Sequence, residues 1–575
     1  MTQTQLESAQ LLMSQGQYQK AINTFDIVLA VEPTSVDAWT GVSLCYTSMG
    51  KWLEALNAIV NALGYGGYHQ HQLVVLLQIL EACQLNSYVE PIEKALHKAL
   101  EHRWLEGQAV SFLVSQLLLK YKDILAQSID SIELNEPIEK MLLDETLVAV
   151  VSRQIVPNHA LEKVLLLGRK ELLQCFAHNQ DARHYLPIIS AIACQNLLND
   201  GLYHTDEQEL QWLAMLDNTD KVFALEVLAL KLSYANFEQA LTLWEQHKDL
   251  FKFTQMKSLG EDLAFYHQLQ TEQSKKAVQD ETSKVVQSFY MQNPYPKYKV
   301  VKVNTMTIGQ HMERIGLKNV SKPEILVAGC GTGLQAIELA FANRDGKVTA
   351  IDISPTSLQY GKLMAKRYGL KNIKFKLLDI LKVNELKKKF DYIVSTGVLH
   401  HMQDPQAGLN ALSGVLKPER AMVLGLYARA SRQVLGDIKN DVIDFFADKA
   451  PQEGDEQQEI EKHQLSQWRS SWTDKERAEH WYNTNDFFHL NGLMDAIFHP
   501  HEVMYSLMDL RPMLNEAGVV FKSMAVTKQM TARYAEQLAE SPMPHNRETL
   551  FYWHGFEQKN PQFFAGTYNF FVVKM

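Results

Sequence analysis

The stretch Ile325-Leu-Val-Ala-Gly-Cys-Gly-Thr-Gly333 decides how the C-terminal half of this 575-residue chain folds. Its apolar beginning predicts a buried strand, and Leu334–Arg344, which follows, predicts a helix. Gly329, Gly331 and Gly333 carry no Cβ atom, so a ligand can lie against this turn while the first N–H groups of the helix point at it. Any tight strand–helix turn can produce such glycine spacing, so the residues that follow decide its meaning.

A carboxylate follows at the distance that a nucleotide-binding fold requires. The predicted strand Lys347–Ile353 carries Asp352, about 20 residues after the turn, where such folds bind a ribose hydroxyl. The alternative for Asp352 is an ordinary turn residue at a strand end. Further strands are predicted at Ile373–Leu378, Phe390–Val394 and Ala421–Tyr427, with helices at Thr356–Tyr368 and Pro405–Leu416. This alternation predicts an α/β Rossmann-like domain that binds its ligand beyond the carboxyl ends of parallel strands.

Together these motifs resemble those of the class I S-adenosylmethionine-dependent methyltransferases, over residues 285–575. The resemblance implies S-adenosyl-L-methionine as cofactor, bound by Ala328, Gly329, Cys330, Gly331, Thr332, Gly333, Asp352, Ile353, Asp379, Ile380, Ser395 and Thr396. The alternative for Asp379 is to cap the helix that begins at Ile380. Val327 departs from the pattern, because many members carry an acid two residues before the first glycine.

Two histidines and a tyrosine are the candidate catalytic residues. His400 and His401 follow the fourth predicted strand, and Tyr427 ends the fifth. Adjacent residues at a strand end point in opposite directions, so one histidine can face the methyl acceptor while the other packs inside the protein. Imidazole suits a general base for an acceptor hydroxyl or amine. The alternative is a site without a base, which holds the nucleophile and the methyl group in line.

The residues after the fourth strand also bear on the acceptor. Methyltransferases for nucleobase amino groups and for protein glutamine typically carry Asn/Asp-Pro-Pro-aromatic here, a clamp for a planar group. Ser395-Thr396-Gly397-Val398 cannot form that clamp. The expected acceptor is therefore another oxygen or nitrogen nucleophile, on a protein side chain or a small molecule.

Aromatic and histidine residues outside these motifs are candidates for the acceptor side. The segment Phe289–Tyr298 holds two prolines and three tyrosines, which predicts stiff, extended backbone rather than helix. It resembles a segment that precedes the catalytic domain in a bacterial subgroup of the family. Tyr295 and Tyr298 are therefore candidate substrate residues, and the alternative is a rigid linker packed on the sheet. The remaining candidates are Asp495, His499, His501 and Tyr505. His499-Pro-His501 alone is poor metal spacing, and no metal site is predicted.

Residues 1–69 follow a different pattern, with a period of 34 residues. The recurring positions are Gly16 and Gly50, Tyr18 and Trp52, Ala21 and Ala55, Phe25 and Ile59, and Leu29 and Leu63, with Pro33, Trp39 and Tyr46 at further signature sites. This is the tetratricopeptide period, with small residues where paired helices touch. Because two repeats are only marginally stable alone, an α-helical repeat array (TPR-like) should continue after them.

Residues 70–270 are predicted to continue this array as degenerate helical repeats. Helices are expected at Gln72–Cys83, Pro91–Glu101, Glu106–Tyr121, Ala160–Phe176, Tyr185–Leu198, Asp206–Leu216, Val222–Ser233 and Phe237–His247. The polar stretch Gln270–Lys284 is typical of a linker, so residues 271–300 hold the linker and the Asn-Pro-Tyr-Pro segment, and 301–575 the methyltransferase domain. The array is expected to recognise a protein partner or substrate, and the alternative is a cover that stabilises the domain.

The last part of the chain is predicted to complete the domain. Asp448–Arg477 is acidic and amide-rich and predicts a lid-like insertion at about 436–500, with a solvated helix as the alternative. A helix at Glu502–Ala517 and a strand at Val519–Ala525 follow. Tyr568–Lys574 is expected to join the sheet as a final antiparallel strand.

Composition limits the partners and the compartment. A net charge of −10 and a pI near 6.1 leave no broad basic surface, which weighs against nucleic acid as a partner. The five cysteines show no paired spacing, as expected in a reducing compartment. The first residues lack a signal-peptide pattern and no apolar run is long enough to span a bilayer, so a cytoplasmic location without membrane contact is expected. The oligomeric state stays open.

The sequence therefore predicts an S-adenosylmethionine-dependent methyltransferase with N-terminal helical repeats. One rival is a TPR scaffold whose methyltransferase fold is catalytically silent, an interpretation to which Val327 gives some weight. The other is a nicotinamide-dependent dehydrogenase, which would want a glycine three residues after Gly331, where Leu334 stands. Turnover separates the scaffold from the enzyme, and the bound ligand separates the two enzymes.

Overall fold

The computed structural model describes residues 2–83, 85–127, 134–218, 221–270, 281–302, 306–447, 465–469, 485–540 and 549–575. The chain divides into two compact units, each assembled from separate segments of the sequence. The first unit comprises Met1–Gln195, Gln208–Ser233 and Lys299–Val303, and the second comprises Asn196–Glu207, Tyr234–Tyr298 and Asn304–Met575. Among the described residues, every helix is too short or too polar to cross a lipid bilayer.

The first unit is built from helices, as predicted for the N-terminal region. Its helices, the last three of which reach slightly beyond the unit, are α1 Thr2–Ser14, α2 Tyr18–Val31, α3 Val36–Ser48, α4 Trp52–Gly64, α5 Gln70–Ala82, α6 Glu90–Ala99, α7 Glu106–Lys120, α8 Lys122–Leu125, α9 Glu136–Leu142, α10 Glu145–Val151, α11 His159–Ala177, α12 Leu186–Leu198, α13 Glu207–Met215 and α14 Ala224–Tyr234. The predicted α-helical array is confirmed.

The first four helices repeat with the predicted period. Helix α3 starts 34 residues after α1 (36 − 2), and α4 starts 34 residues after α2 (52 − 18). Gly16 and Gly50 end the first helix of each pair with nearly equal positive φ angles of 74° and 71°. A Cβ atom on Gly41 would lie 2.2 Å from the Phe25 ring, so α2 and α3 approach as closely as glycine allows. These helix pairs fit the tetratricopeptide pattern, and that name stays a prediction.

The second unit contains the predicted α/β domain. Its helices are α15 Phe237–Gln246, α16 Thr254–Gln270, α17 Glu281–Gln292, α18 Ile308–Arg314, α19 Leu334–Ala342, α20 Pro355–Arg367, α21 Pro405–Val415, α22 Arg429–Ala447, α23 Leu490–Phe498, α24 Leu507–Glu516, α25 Lys528–Arg533, α26 Ala535–Glu540 and α27 Leu550–Lys559. Its strands are β1 Glu324–Ala328, β2 Lys347–Asp352, β3 Ile373–Leu377, β4 Phe390–Thr396, β5 Leu416–Tyr427, β6 Val519–Met524 and β7 Thr567–Lys574.

The strands form one sheet in the order β3-β2-β1-β4-β5-β7-β6. Strands β1 to β5 pair in parallel, and β7 lies antiparallel between β5 and β6, as predicted for the final strand. The Rossmann-like class I methyltransferase fold is thereby confirmed. The strand order reverses between β1 and β4, and at such a switch point the carboxyl ends of the strands open a crevice for a ligand.

Three predicted elements begin or end elsewhere. The helix expected from Glu502 starts at Leu507, because Ser506 caps it and the preceding residue forms a bridge to the strand end. The segment Phe289–Tyr298 is helical as far as Gln292, because Val286 and Phe289 give α17 a buried face before the first proline. Strand β5 begins earlier than expected, at Leu416.

Two predictions fall largely outside the described residues. Within Asp448–Arg477, the proposed lid, only 465–469 is described, and it is helical. Within the proposed linker Gln270–Lys284, residues 271–280 lie outside the described set, and Glu281–Lys284 begins helix α17.

Candidate active site

A cavity of about 560 Å³ lies at the carboxyl ends of strands β1 to β5. This volume is in the range of about 300–1,000 Å³ that is usual for small-molecule sites. The predicted site residues that line it are Tyr295, Gly329, Cys330, Gly331, Asp352, Ile353, Asp379, Ile380, Thr396, His401, Tyr427 and Asp495. All belong to the second unit, and they come from every parallel strand end, which is why no single motif could define the cavity.

The glycine-rich turn has the open backbone that the sequence predicts. Gly329, Gly331 and Gly333 have φ angles of 70°, 52° and 86°, a region that residues with a Cβ atom rarely adopt. A Cβ atom on Gly331 would lie 2.7 Å from the carbonyl oxygen of Tyr295. At Gly331, therefore, both the backbone conformation and the close approach of a second segment require glycine.

Asp352 holds this turn in place. Its carboxylate accepts 2.8 Å hydrogen bonds from the N–H groups of Gly331 and Ser354, one on each oxygen. Burial raises the pKa of Asp352, although the backbone N–H groups of Ser354, Gly331 and Ile353 oppose this effect. Each carboxylate oxygen keeps a further lone pair with which it can accept a ribose hydroxyl.

Asp379 takes the capping role and also lines the cavity, and its contact with adenine stays a prediction. Its side chain caps the 3₁₀ turn Ile380–Leu386 by accepting a 2.9 Å hydrogen bond from the N–H of Leu381. The same residue lines the cavity next to Ile380. Capping therefore fixes the side chain at the cavity wall.

The Asn-Pro-Tyr-Pro segment is hydrogen-bonded to the glycine-rich turn. The Thr332 hydroxyl donates to the carbonyl oxygen of Pro296 at 2.5 Å, and the Tyr298 hydroxyl donates to the carbonyl oxygen of Thr332 at 2.9 Å. Tyr298 is buried away from the cavity, so the predicted substrate contact at this residue is not seen. Tyr295 does line the cavity, and its hydroxyl donates to Asp486.

Of the two adjacent histidines, one reaches the cavity and the other does not, as predicted, but their rings do not point in opposite directions, because their centroids lie only 4.2 Å apart. His401 lines the cavity, whereas the His400 ring is fully buried and stacks on Tyr427 with 3.6 Å between ring centroids. His401 Nδ1 lies 2.9 Å from the carbonyl oxygen of His501. Since that oxygen can only accept, Nδ1 carries the proton and Nε2 keeps its lone pair.

Burial sets the charge of both histidines. It lowers the pKa of His401 to about 3 and that of His400 well below its ordinary value. Both imidazoles are therefore neutral at pH 7. Of the two, only His401 reaches the cavity, where its unprotonated Nε2 can accept a hydrogen bond.

Buried carboxylates and tyrosines face each other across the acceptor side of the cavity. The Tyr290 hydroxyl donates to Asp495 at 2.6 Å. Burial raises the pKa of Asp495 to about 7, opposed by this hydrogen bond and supported by the charges of Asp486 and Glu502. Burial also raises the pKa of Tyr290 well above its ordinary value. Asp495 can thus exchange a proton near neutral pH.

The described lining residues carry far more negative than positive charge. The acidic members are Glu338, Asp352, Asp379, Asp486 and Asp495. Arg432 is the one permanent cation among the described lining residues. Its guanidinium lies 3.4 Å from the centroid of the Tyr427 ring and 3.2 Å from a carboxylate oxygen of Glu502. The cavity therefore favours a ligand with net positive charge.

The other predicted residues are not among the described residues that line the cavity. These are Ala328, Thr332, Gly333, Ser395, His400, Tyr298, His499, His501 and Tyr505. His499 is buried and its ring lies 3.6 Å from that of His401. Tyr505 hydrogen-bonds through its backbone to Tyr427 and packs against the core, so the predicted substrate contact is not seen there.

Several lining residues escaped the sequence analysis. Arg432 belongs to helix α22, which starts directly after β5, so the rule that ligands bind at strand ends could have found it. Tyr290 lies in the segment that was predicted to be extended, but it belongs to the last turn of helix α17. The wrong prediction for this part of the segment concealed its position at the cavity. Asp486 lies in the short 3₁₀ helix Asn485–Phe488, which has no distinctive sequence pattern, so its position at the cavity could not be predicted from the sequence.

The comparison with protein families agrees with this geometry. Residues 320–504 match the family model described as a methyltransferase domain. An uncharacterised protein of Synechococcus sp. is 31% identical over 208 residues, which are 35% of this chain and 48% of that protein. A malonyl-acyl-carrier-protein O-methyltransferase of Acetivibrio thermocellus is 27% identical, across 25% of this chain and 50% of its own length. The chain thus spans about half the length of these curated relatives.

Solved structures show weaker likeness. PKMT2 from Rickettsia typhi, in complex with AdoHcy, has a TM-score of 0.33 and 14% identity, covering 49% of this chain and 55% of that one. Magnesium protoporphyrin IX methyltransferase from Synechocystis, with bound SAM, has a TM-score of 0.26 and 13% identity, covering 52% and 100%. The family match over residues 320–504 and the strand order of the sheet show a methyltransferase domain with the class I fold, and this statement does not depend on the solved structures.

S-adenosylmethionine is the cofactor that such a domain implies, and the cavity fits it. The volume suffices, Asp352 ends β2 at the edge of the glycine-rich turn, and the acidic lining suits the positive charge of a sulfonium ion. The residues that would hold the cofactor are the turn around Gly331, Asp352 for the ribose, and Asp379 with Ile380 near the adenine.

Proposed function

We propose that this chain is an S-adenosylmethionine-dependent methyltransferase that methylates an oxygen or nitrogen nucleophile of a protein side chain or a small molecule. The observation that carries the proposal is the hydrogen bond between Asp352 and the N–H of Gly331, at the wall of the cavity. It joins the two motifs that define a nucleotide-binding strand–turn–helix. When bound, the cofactor supplies an electrophilic methyl group on a sulfonium sulfur.

The residues of the chain then have three tasks. The turn and Asp352 hold the cofactor in one orientation, which turns methyl transfer into an oriented, effectively intramolecular step. Tyr290, Tyr295 and Tyr427 wall the acceptor side and exclude water from it. His401, neutral and oriented by the His501 carbonyl, accepts a hydrogen bond from an acceptor hydroxyl or amine through Nε2 and so orients it.

The helical array supports recognition of a protein partner or substrate. Stacked helix pairs present an extended surface, which is the usual basis of peptide binding by such arrays. The competing function is that of a scaffold with a silent methyltransferase fold. The open glycine-rich turn and the buried, ordered Asp352 favour an active site over a silent one.

Titration calorimetry with S-adenosylmethionine tests the proposal. We expect micromolar affinity in the wild type and a loss of about 10- to 100-fold in Asp352→Ala, because a charge-assisted hydrogen bond is worth about 1.5–3 kcal/mol. The matched control is Asp345→Ala, an exposed acid in the loop before β2, which should bind like the wild type.

The possible results separate the rivals. Binding that is lost only in Asp352→Ala justifies a search for the acceptor with a labelled methyl group in cell extract. A heat of binding with NAD but none with S-adenosylmethionine would indicate a dehydrogenase. Absence of any cofactor heat would leave the scaffold as the function.

A further inference from the structure

Three metal-ligand side chains meet beside the cavity although they are distant in sequence. His401 ends a 3₁₀ turn after β4, Asp495 lies in helix α23, and His499 ends that helix. One ligand atom from each of the three lies within 4.8 Å of the others. Two of them, His401 and Asp495, line the cavity. Because His499 follows Asp495 by one helical turn, the two side chains lie on the same face.

The surroundings of His401 and Asp495 orient them as ligands. The His501 carbonyl oxygen fixes the His401 proton on Nδ1 and leaves Nε2 free to coordinate, as in many metal sites. The Tyr290 hydroxyl occupies Oδ1 of Asp495 and leaves the other oxygen for an ion. Both side chains therefore have the outer partner that metal ligands usually have.

His499 provides an independent observation. Its side chain is only 5% exposed, and its Nε2 atom is buried without a hydrogen-bond partner. Its Nδ1 accepts a long 3.2 Å hydrogen bond from the N–H of His501, which places the proton of the neutral ring on Nε2. Coordination through Nε2 moves that proton to Nδ1 and gives up this hydrogen bond. A buried polar atom that lacks a partner is rare in folded proteins, and a bound ion is one way to satisfy it.

We propose that His401, Asp495 and His499 form a binding site for a divalent transition-metal ion. Two imidazoles and one carboxylate suit zinc, manganese or iron and leave coordination positions open for a further ligand. The three ligand atoms lie within 4.8 Å of one another, whereas neighbouring ligands around zinc lie roughly 3.3 Å apart. The His401 and His499 rings lie against each other with 3.6 Å between their centroids, so binding requires at least one imidazole to rotate until its nitrogen points at the ion.

The role of the ion rests on the proposed function. Bound to Nε2 of His401, the ion takes over the contact with the acceptor that this nitrogen would otherwise make. It binds the oxygen of an acceptor hydroxyl and lowers its pKa, so that the proton passes to bulk water before the methyl group is transferred. The acceptor oxygen then bonds to the methyl carbon while the S–CH₃ bond breaks and its electron pair stays on sulfur. The site thus favours acceptors that offer an oxygen ligand, such as phenols, over amines.

The test uses Co²⁺ with the full chain, stripped with chelator and dialysed. We expect about one Co²⁺ per chain, with visible d–d absorption, in the wild type. His499→Ala and the isosteric Asp495→Asn should each lower the affinity at least about tenfold. The matched control is His554→Ala in helix α27, which should bind like the wild type.

The outcomes decide the proposal without reference to activity. Equal Co²⁺ binding in His499→Ala, Asp495→Asn and the wild type would overturn it, as would no binding by the wild type. Circular dichroism melting of Asp495→Asn shows whether the variant is folded. S-adenosylmethionine calorimetry on the same metal-free samples distinguishes the two proposals, because the cofactor can bind when the metal does not.

Discussion

Gly331 is constrained in the glycine-rich turn both by its positive φ angle and by the close approach of Tyr295. We expect Gly331→Ala to weaken S-adenosylmethionine binding at least about tenfold, because the new Cβ would lie 2.7 Å from the Tyr295 carbonyl oxygen and must push the turn or the segment away. Calorimetry on the purified variant measures the effect.

The control for this prediction is Gly369→Ala. This glycine also has a positive φ of 64°, but a Cβ atom there would meet nothing within 4 Å. It shares the backbone strain without the clash, so it should lose about 1 kcal/mol of stability and keep its cofactor affinity. Equal loss of affinity in both variants would show that the clash with Tyr295 is not the cause.

His489 makes stability depend on pH. Burial lowers the pKa of His489 to about 4, opposed by a hydrogen bond to the Leu198 backbone, whereas the unfolded chain keeps a value near 6.5. Between these values the unfolded state binds more protons, so the free energy of unfolding falls as the pH falls from about 6.5 to about 4, by roughly 3 kcal/mol at most.

Chemical denaturation at pH 7.0 and 5.0 measures this contribution. We expect His489→Gln to lose less stability than the wild type between these two pH values, since glutamine does not titrate. His247→Gln, at an exposed histidine, should keep the full pH dependence. A His489→Gln variant with the wild-type dependence would show that the buried histidine does not carry the effect.

At the scale of the element, Phe25 is the largest of the five residues that helix α2 buries. Phe25 is fully buried and packs against Gly41 of α3. We expect Phe25→Ala to lower the free energy of unfolding by about 3–5 kcal/mol, because a large cavity remains where the helices touch. Urea denaturation followed by far-ultraviolet circular dichroism measures the loss.

The same helix offers a matched control. Ile27 is 50% exposed, so Ile27→Ala should cost well under half as much as the change at Phe25. If both variants lost the same stability, the first helices would not pack as an array with its core at Phe25. That result would also weaken the tetratricopeptide prediction.

At the scale of the molecule, the cavity belongs to one unit. Every described lining residue lies in the second unit, so a fragment of residues 196–575 should bind S-adenosylmethionine about as tightly as the full chain. A fragment of residues 234–575 lacks Asn196–Glu207. It loses the Asn199 carbonyl that accepts from the N–H of Leu490 at 3.0 Å, and Asp200, which pairs with Lys297.

Thermal melting compares the two fragments. We expect the shorter one to melt several degrees lower, because helix α23 loses its first backbone partner and a buried ion pair is broken. Equal melting temperatures would show that Asn196–Glu207 adds nothing to the second unit. Loss of cofactor binding in the longer fragment would show that the site needs the helical array.

The sequence by itself determined the elements and their class. Glycine spacing, the acid at Asp352 and alternating apolar runs are local signals, since each depends on backbone conformation or on one face of a strand or helix. The same holds for the 34-residue period of the helices. These signals predicted the methyltransferase fold and the final antiparallel strand, both of which are confirmed, and the cofactor class that such a domain implies.

Only the tertiary structure decided which side chains share the cavity. Asp486, Asp495 and Arg432 reach it from segments far from the glycine-rich turn, and His499 meets His401 across 98 residues (499 − 401). Such meetings depend on how helices pack on the sheet, which no local pattern encodes. The reason is physical: a strand end fixes the direction of its own residues, whereas packing of distant elements fixes what those residues face.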